Sequence, residues 1–120
     1  MKELKQVVNE SNLEIKEAFK VMKSNASISA KEFIGNVFKV KGYVIVDTEL
    51  TNLETGEVEK GKSICFLTET DEIIGSNSSS LLKTFLEIKE TFGDIYDTLE
   101  VKITKGTSKN GQTFLSLELA

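Results

Sequence analysis

Hydrophobic positions recur at helical spacing near the N-terminus, alternate with polar ones from Phe38 onward, and return to helical spacing between Leu81 and Phe92. In residues 11–23, Leu13, Ile15, Phe19 and Met22 are set among Glu14, Lys16, Glu17, Lys20 and Lys23. That spacing predicts an amphipathic helix with Ser11 or Asn12 as its cap. After a polar break at 24–27, Ser29 precedes a short helical turn carrying Phe33 and Ile34, which Gly35 ends.

Phe38, Val40, Gly42, Val44 and Val46 alternate with Lys39, Lys41, Tyr43, Ile45 and Asp47, the pattern of a half-buried strand. A glycine inside a strand weakens it, so Gly42 is expected to permit a bulge or sharp coil, as a long strand needs in closing a small barrel. Asn52 and Gly56 supply turn residues tolerant of positive φ, and Val58–Thr68 returns as a second long strand. Residues 71–76 form a short third strand.

Ser78, Ser79 or Ser80 is expected to cap the next element, a helix whose Leu81, Leu82, Phe85, Ile88 and Phe92 form one stripe until Gly93 stops it. Strands over Ile95–Thr104 and Thr113–Leu119 follow, joined by a hairpin signalled by Asn110-Gly111. Three strands, a helix and two strands are the connectivity of the five-stranded OB-fold barrel, which commonly presents a sheet face and hairpin loops to oligonucleotides or oligosaccharides. The expected fold is mainly β: an α-helical N-terminal extension over 1–36 and an OB-fold domain over 37–120.

Composition narrows the function. The chain has 120 residues, enough for one modest core. Its apolar stretches are too short to span a bilayer, and the charged N-terminus lacks the apolar stretch of a secretory signal, which leads to an expected cytoplasmic location. With one cysteine and no histidine, the ordinary ligands of a structural zinc are missing and no cofactor is expected. Missing histidine also removes the commonest general base, and with every cation a lysine there is no arginine clamp for phosphoryl transfer, so an enzyme is not expected. The net charge of −4 opposes phosphate binding, so any nucleic-acid site depends on local placement of lysines. Without arginine, such contact should be tolerant of sequence.

The runs VFKVKGYVIVDTEL, NLETGEVEKGKSICFLTETDEIIGSNSS and LLKTFLEIKETFG resemble the small OB-fold single-stranded-DNA-binding proteins of phages of Gram-positive bacteria, including those with protein-primed genomes. The shared features are a long first strand, the turn Thr55-Gly56-Glu57, an acidic turn after the second strand, a serine-led helix and the stop at Phe92-Gly93. The resemblance implies an accessory protein of DNA replication that coats displaced single strands, with replication proteins as further partners. It assigns no base-stacking residue.

Candidate contacts therefore come from face assignment. With Phe38, Val40, Val44 and Val46 inward, Lys39, Lys41 and Tyr43 are expected on one outward face, where a ring between ammonium groups suits base stacking beside phosphates. The competing reading is a tyrosine covered by the N-terminal helix. On the last strand, Leu115, Leu117 and Leu119 face one way and Phe114 the other, beside the hairpin carrying Lys105 and Lys109. Phe114 is the second stacking candidate, against the alternative of an incidental surface ring. Phe66 and Cys65 are read as core. Lys60, Lys62 and Lys102 complete a possible basic groove, against the alternative of a mixed solvated surface. Ser76–Ser80 are read as a helix cap rather than a phosphate loop, because the glycine-rich loop ending in lysine-serine is missing.

Two other classes remain open at this stage. One is a small-barrel protein-interaction module, with the N-terminal helix docking on a partner or joining copies of the chain. The other is a phage-encoded inhibitor that mimics DNA with its acids.

Overall fold

The computed structural model describes residues 2–24, 28–93 and 98–120. Strand β1 (Lys2–Ser11) leads to helix α1 (Ile15–Lys23), the short strand β2 (Ile28–Ser29) and a 3-10 turn at Ala30–Glu32. Then come β3 (Val37–Asn52), β4 (Val58–Thr68), β5 (Ile73–Ser76), helix α2 (Ser79–Phe92), β6 (Glu100–Thr107) and β7 (Thr113–Leu119). The protein is mainly β, and its sheet is curled into a half-barrel.

The order across the sheet is β2-β5-β4-β3-β6-β7, with β1 added to β3. Sixteen residues long, β3 is the spine. Its start, Val37–Lys39, pairs with β6, and its remainder lies between β4 and β1. The second strand occupies the expected residues, Val58–Thr68. The expected start of the fourth strand at Ile95 falls in 94–97, outside the described residues, as does most of the polar break at 24–27. Gly56, Gly93 and Gly111 all take positive φ at the turns and the helix stop expected of them. Asn52 acts differently: it stays in the strand, and its Oδ1 accepts from the backbone N–H groups of Glu54 and Thr55.

The N-terminus departs from expectation. Lys2–Ser11 is a strand, antiparallel to β3, whose burial pattern is almost wholly exposed. Its apolar residues are too sparse for a period to be read, and it gains its order from the backbone ladder supplied by β3. Ser11 consequently does not cap α1. Its hydroxyl donates to the Tyr43 carbonyl (2.6 Å) and accepts from the Leu13 N–H (3.1 Å), which turns the chain from strand to helix.

The second departure is the face of Tyr43. The pairing of β3 with β4 shifts register between Val40 and Gly42, so the expected bulge is present there. A bulge inserts one residue and inverts the alternation beyond it. Phe38 and Val40 therefore share the main core with Tyr43 and Ile45, whereas Val44 and Val46 turn to the opposite face. The main core adds Ile64 and Phe66 of β4, Ile74 of β5, Leu81 and Phe85 of α2, Val101 and Ile103 of β6, and Leu115 and Leu117 of β7. Phe66 is fully buried, as expected. On the other face, α1 presses Ala18, Val21 and Met22 onto Val44 and Val46, with half-buried Leu13 and Cys65 beside them. Burial raises the pKa of the Cys65 thiol.

Gly42 has a second duty besides the bulge. A Cβ there would lie 2.5 Å from Leu13 Cδ2 and 3.0 Å from its Cγ. Gly42→Ala is therefore expected to push Leu13 off its apolar neighbours and destabilise the fold by about 1–3 kcal/mol. Adding Leu13→Ala should bring a smaller loss than the sum of the two single changes, as a double-mutant cycle by urea unfolding would measure.

One polar cluster ties β1 to the rest. Glu10 Oε2 accepts from Lys89 Nζ of α2 (2.5 Å) and from the Tyr43 hydroxyl (3.0 Å), and Lys89 stands 5.3 Å from the Tyr43 ring centroid. The Lys89 hydrogen bond is the main cause that holds the Glu10 pKa below its ordinary value. A carboxyl with a depressed folded-state pKa contributes stability above its unfolded value, and that contribution is lost as pH falls through the folded one. Wild-type stability should thus decline as the pH drops below 4.5, and Glu10→Gln should remove part of that decline. Both side chains are partly exposed, so the change is expected to stay under about 1 kcal/mol; urea midpoints measured from pH 6 to pH 3 would show it.

Candidate nucleic-acid interface

The hairpin of β6 and β7 carries an exposed aromatic, Phe114. Its register sets Gly106 opposite Phe114, Thr104 opposite Ser116 and Lys102 opposite Glu118, and these side chains share the face turned away from the core. Val101 and Ile103, together with Leu115 and Leu117, fill the inward face and hold the hairpin on the main core. Phe114 is 40% exposed. The tip of its ring lies over Gly106, where an added Cβ would come within 2.6 Å of Cζ. A glycine opposite an aromatic lets the ring settle onto the neighbouring strand, leaving its remaining surface to solvent. The expected outward position of Phe114 is therefore met, with a support that face assignment did not reveal.

The lysines are not gathered into one groove. Lys102, Lys105 and Lys109 stand on this hairpin, and Lys39 projects from the adjoining start of β3, directly opposite Glu100 in the ladder. The Lys39 backbone N–H donates to Glu69 Oε2 (2.6 Å). Lys41, at the bulge, pairs with Asp71 at 2.8 Å, and that hydrogen bond is the main cause of its raised pKa. Lys60 and Lys62 lie along the other end of the β3–β4 ribbon, facing Glu49 at 3.9 Å and Asp47 at 3.8 Å. A lysine beside a carboxylate projects little net field, so Lys41, Lys60 and Lys62 make poor phosphate contacts. Among the described residues, Lys39, Lys102, Lys105 and Lys109 form no side-chain ion pair of this kind.

Tyr43 is withdrawn from the interface. It is 3% exposed, its ring centroid stands 5.0 Å from that of Phe85, and burial is the main cause of its raised pKa. The bulge is the physical reason: by inverting the alternation after Val40, it turns inward a residue that unbroken alternation turns outward. The ring is covered by α2, not by the N-terminal helix of the competing reading, which packs on the other face.

The Ser76–Ser80 segment is confirmed as a cap. Ser78 Oγ accepts from the Leu81 N–H, and Ser76 Oγ accepts from the Ser78 N–H. The same segment also borders an open groove of about 650 Å³ that runs between it, the 3-10 turn and the start of β7. Sequence reasoning missed this groove, because Lys31 and Phe114 reach it from distant parts of the chain. The one legible signal was the density of hydroxyl and amide side chains in the serine run.

No metal-binding cluster of histidine, cysteine and carboxylate side chains occurs among the described residues, and no described helix is long and apolar enough to cross a membrane. In comparisons with known proteins, the chain matches no family model, no curated protein and no solved structure.

Proposed function

We propose that this protein binds single-stranded DNA without sequence preference, through the outer face of the β6–β7 hairpin, and that its curled sheet is an OB-type barrel left open between β5 and β7. The observation that carries the reading is Phe114, an exposed ring propped on Gly106, with Lys102 on the same face and Lys109 in the turn of the hairpin, while Lys105, opposite Leu115, belongs to the other face. Bases stack on an aromatic face whatever their identity, and lysines answer the phosphates without reading base edges. The strand order β5-β4-β3-β6-β7, with α2 joining β5 to β6, supports the OB assignment, since hairpin loops and a sheet face are where that barrel takes oligonucleotides. The resemblance to phage single-stranded-DNA-binding proteins extends the proposal to covering displaced strands during replication.

A long single strand saturated with the protein should resist a single-strand-specific nuclease, and the same strand with the Phe114→Ala protein at equal concentration should be cut faster. Equal cutting with and without wild-type protein rejects the proposal.

A second reading rests on α1. Ile15 is 72% and Phe19 52% exposed, flanked by Lys16, Lys20 and Lys23, with Lys23 Nζ 5.8 Å from the Phe19 ring centroid. This face suits a protein-interaction module. Binding to DNA that survives Phe19→Ser unchanged would separate the two surfaces.

A further inference from the structure

The open groove beside β7 differs in charge from the rest of this acidic protein. None of the residues lining it is acidic: Lys31 and Phe114 stand among Ser29, Asn77, Ser79 and Thr113. The contrast is sharp with the groove of about 480 Å³ at the far end of the β3–β4 ribbon, where Asp47 and Glu49 neutralise Lys62 and Lys60. In a chain of net charge −4, a groove without carboxylates is where a polyanion meets least repulsion. Its polar groups are also available. The side chains of Ser29, Asn77, Ser79 and Thr113 form no hydrogen bond with described residues, whereas Ser76 and Ser78 spend their hydroxyls on the helix cap.

We infer that this groove is a nucleotide site of the bound single strand, with a base on Phe114 and the adjoining phosphate against Lys31 and the hydroxyls of Ser29 and Ser79. The inference rests on the single-strand reading and adds the strand's path: from the β6–β7 hairpin across the edge of β7 toward the 3-10 turn. The geometry suits this path because Phe114 belongs to both surfaces, sharing the outer face of the hairpin with Lys102 and forming a wall of the groove. Hydroxyl and amide donors contact phosphate and sugar without discriminating among bases, in keeping with sequence tolerance.

The test is equilibrium binding of the full chain to a labelled oligothymidylate of about thirty nucleotides, followed by fluorescence anisotropy. Lys31→Glu and Ser29→Asp each place negative charge in the groove at an exposed position, and the Ser29 side chain makes no capping hydrogen bond to the 3-10 turn that the change would remove. Lys16→Glu makes the same charge change as Lys31→Glu, but on α1. Both groove variants should weaken binding by about fivefold or more at low salt and Lys16→Glu by less than about twofold, while Lys31→Gln should reduce the slope of log affinity against log salt by about 0.7, the value for one phosphate of a single strand. If wild type binds and Phe114→Ala weakens it, yet the groove variants match Lys16→Glu, the groove is overturned and the hairpin surface stands. If wild type does not bind, both fall together.

Discussion

Phe114→Ala should lower affinity for single-stranded DNA by about 1–3 kcal/mol, the usual loss for one base–aromatic stack. It should leave the melting temperature nearly unchanged. The ring is 40% exposed, rests over Gly106 and belongs to neither hydrophobic core cluster, so its removal opens no cavity in the core. A stacking role and a packing role thus predict different observables, affinity for the first and stability for the second. Phe114→Trp should bind at least as well as wild type, because a larger π-face preserves the stack. A variant that loses stability but not affinity would show that Phe114 is only a cover for Gly106.

Tyr43→Ala should do the reverse. The ring is packed between Phe85 and the strands around it, and emptying such a site typically destabilises by about 3–5 kcal/mol. In a chain of this size that lowers the melting temperature by roughly 10 °C or more. The fraction that remains folded should bind DNA as wild type does, since Tyr43 is 3% exposed. Tyr43→Phe isolates the hydroxyl. It keeps the packing and loses the hydrogen bond to Glu10, for about 1 kcal/mol. Thermal melts beside binding curves for the two variants would confirm or refute this division of roles.

The contrast between these residues shows what was legible in the sequence. Alternation is a reliable guide where a strand runs unbroken, as in β7, where Leu115, Leu117 and Phe114 lie on the faces their spacing predicts. It misleads across a bulge. Gly42 announced the bulge, but not its consequence, because one inserted residue exchanges the faces of everything beyond it, so Tyr43 and Val44 trade places. Helix α2 was legible because its apolar stripe and its serine and glycine ends agree, whereas β1 was not: its order comes from pairing with β3, a non-local effect that its own charged, exposed residues do not encode. The lysines divide in the same manner. Their number is plain in the sequence, but which of them meet carboxylates depends on cross-strand register, and Lys60 and Lys62 are neutralised by partners on the preceding strand. The groove beside β7 was hidden for the same reason, being assembled from Lys31, the serine run and Phe114 only when the sheet curls.

The central claim is that an acidic protein grips single-stranded DNA through a local aromatic and lysine surface. Its most direct test is an anisotropy titration of a labelled single strand of about thirty nucleotides, with a duplex of the same sequence as control, at low and at moderate salt. The account predicts saturable binding that prefers the single strand and weakens as salt rises, because lysine–phosphate contacts release counterions. Absence of binding to either DNA at low salt would contradict it and leave the exposed Ile15 and Phe19 face of α1 as the working surface of the protein.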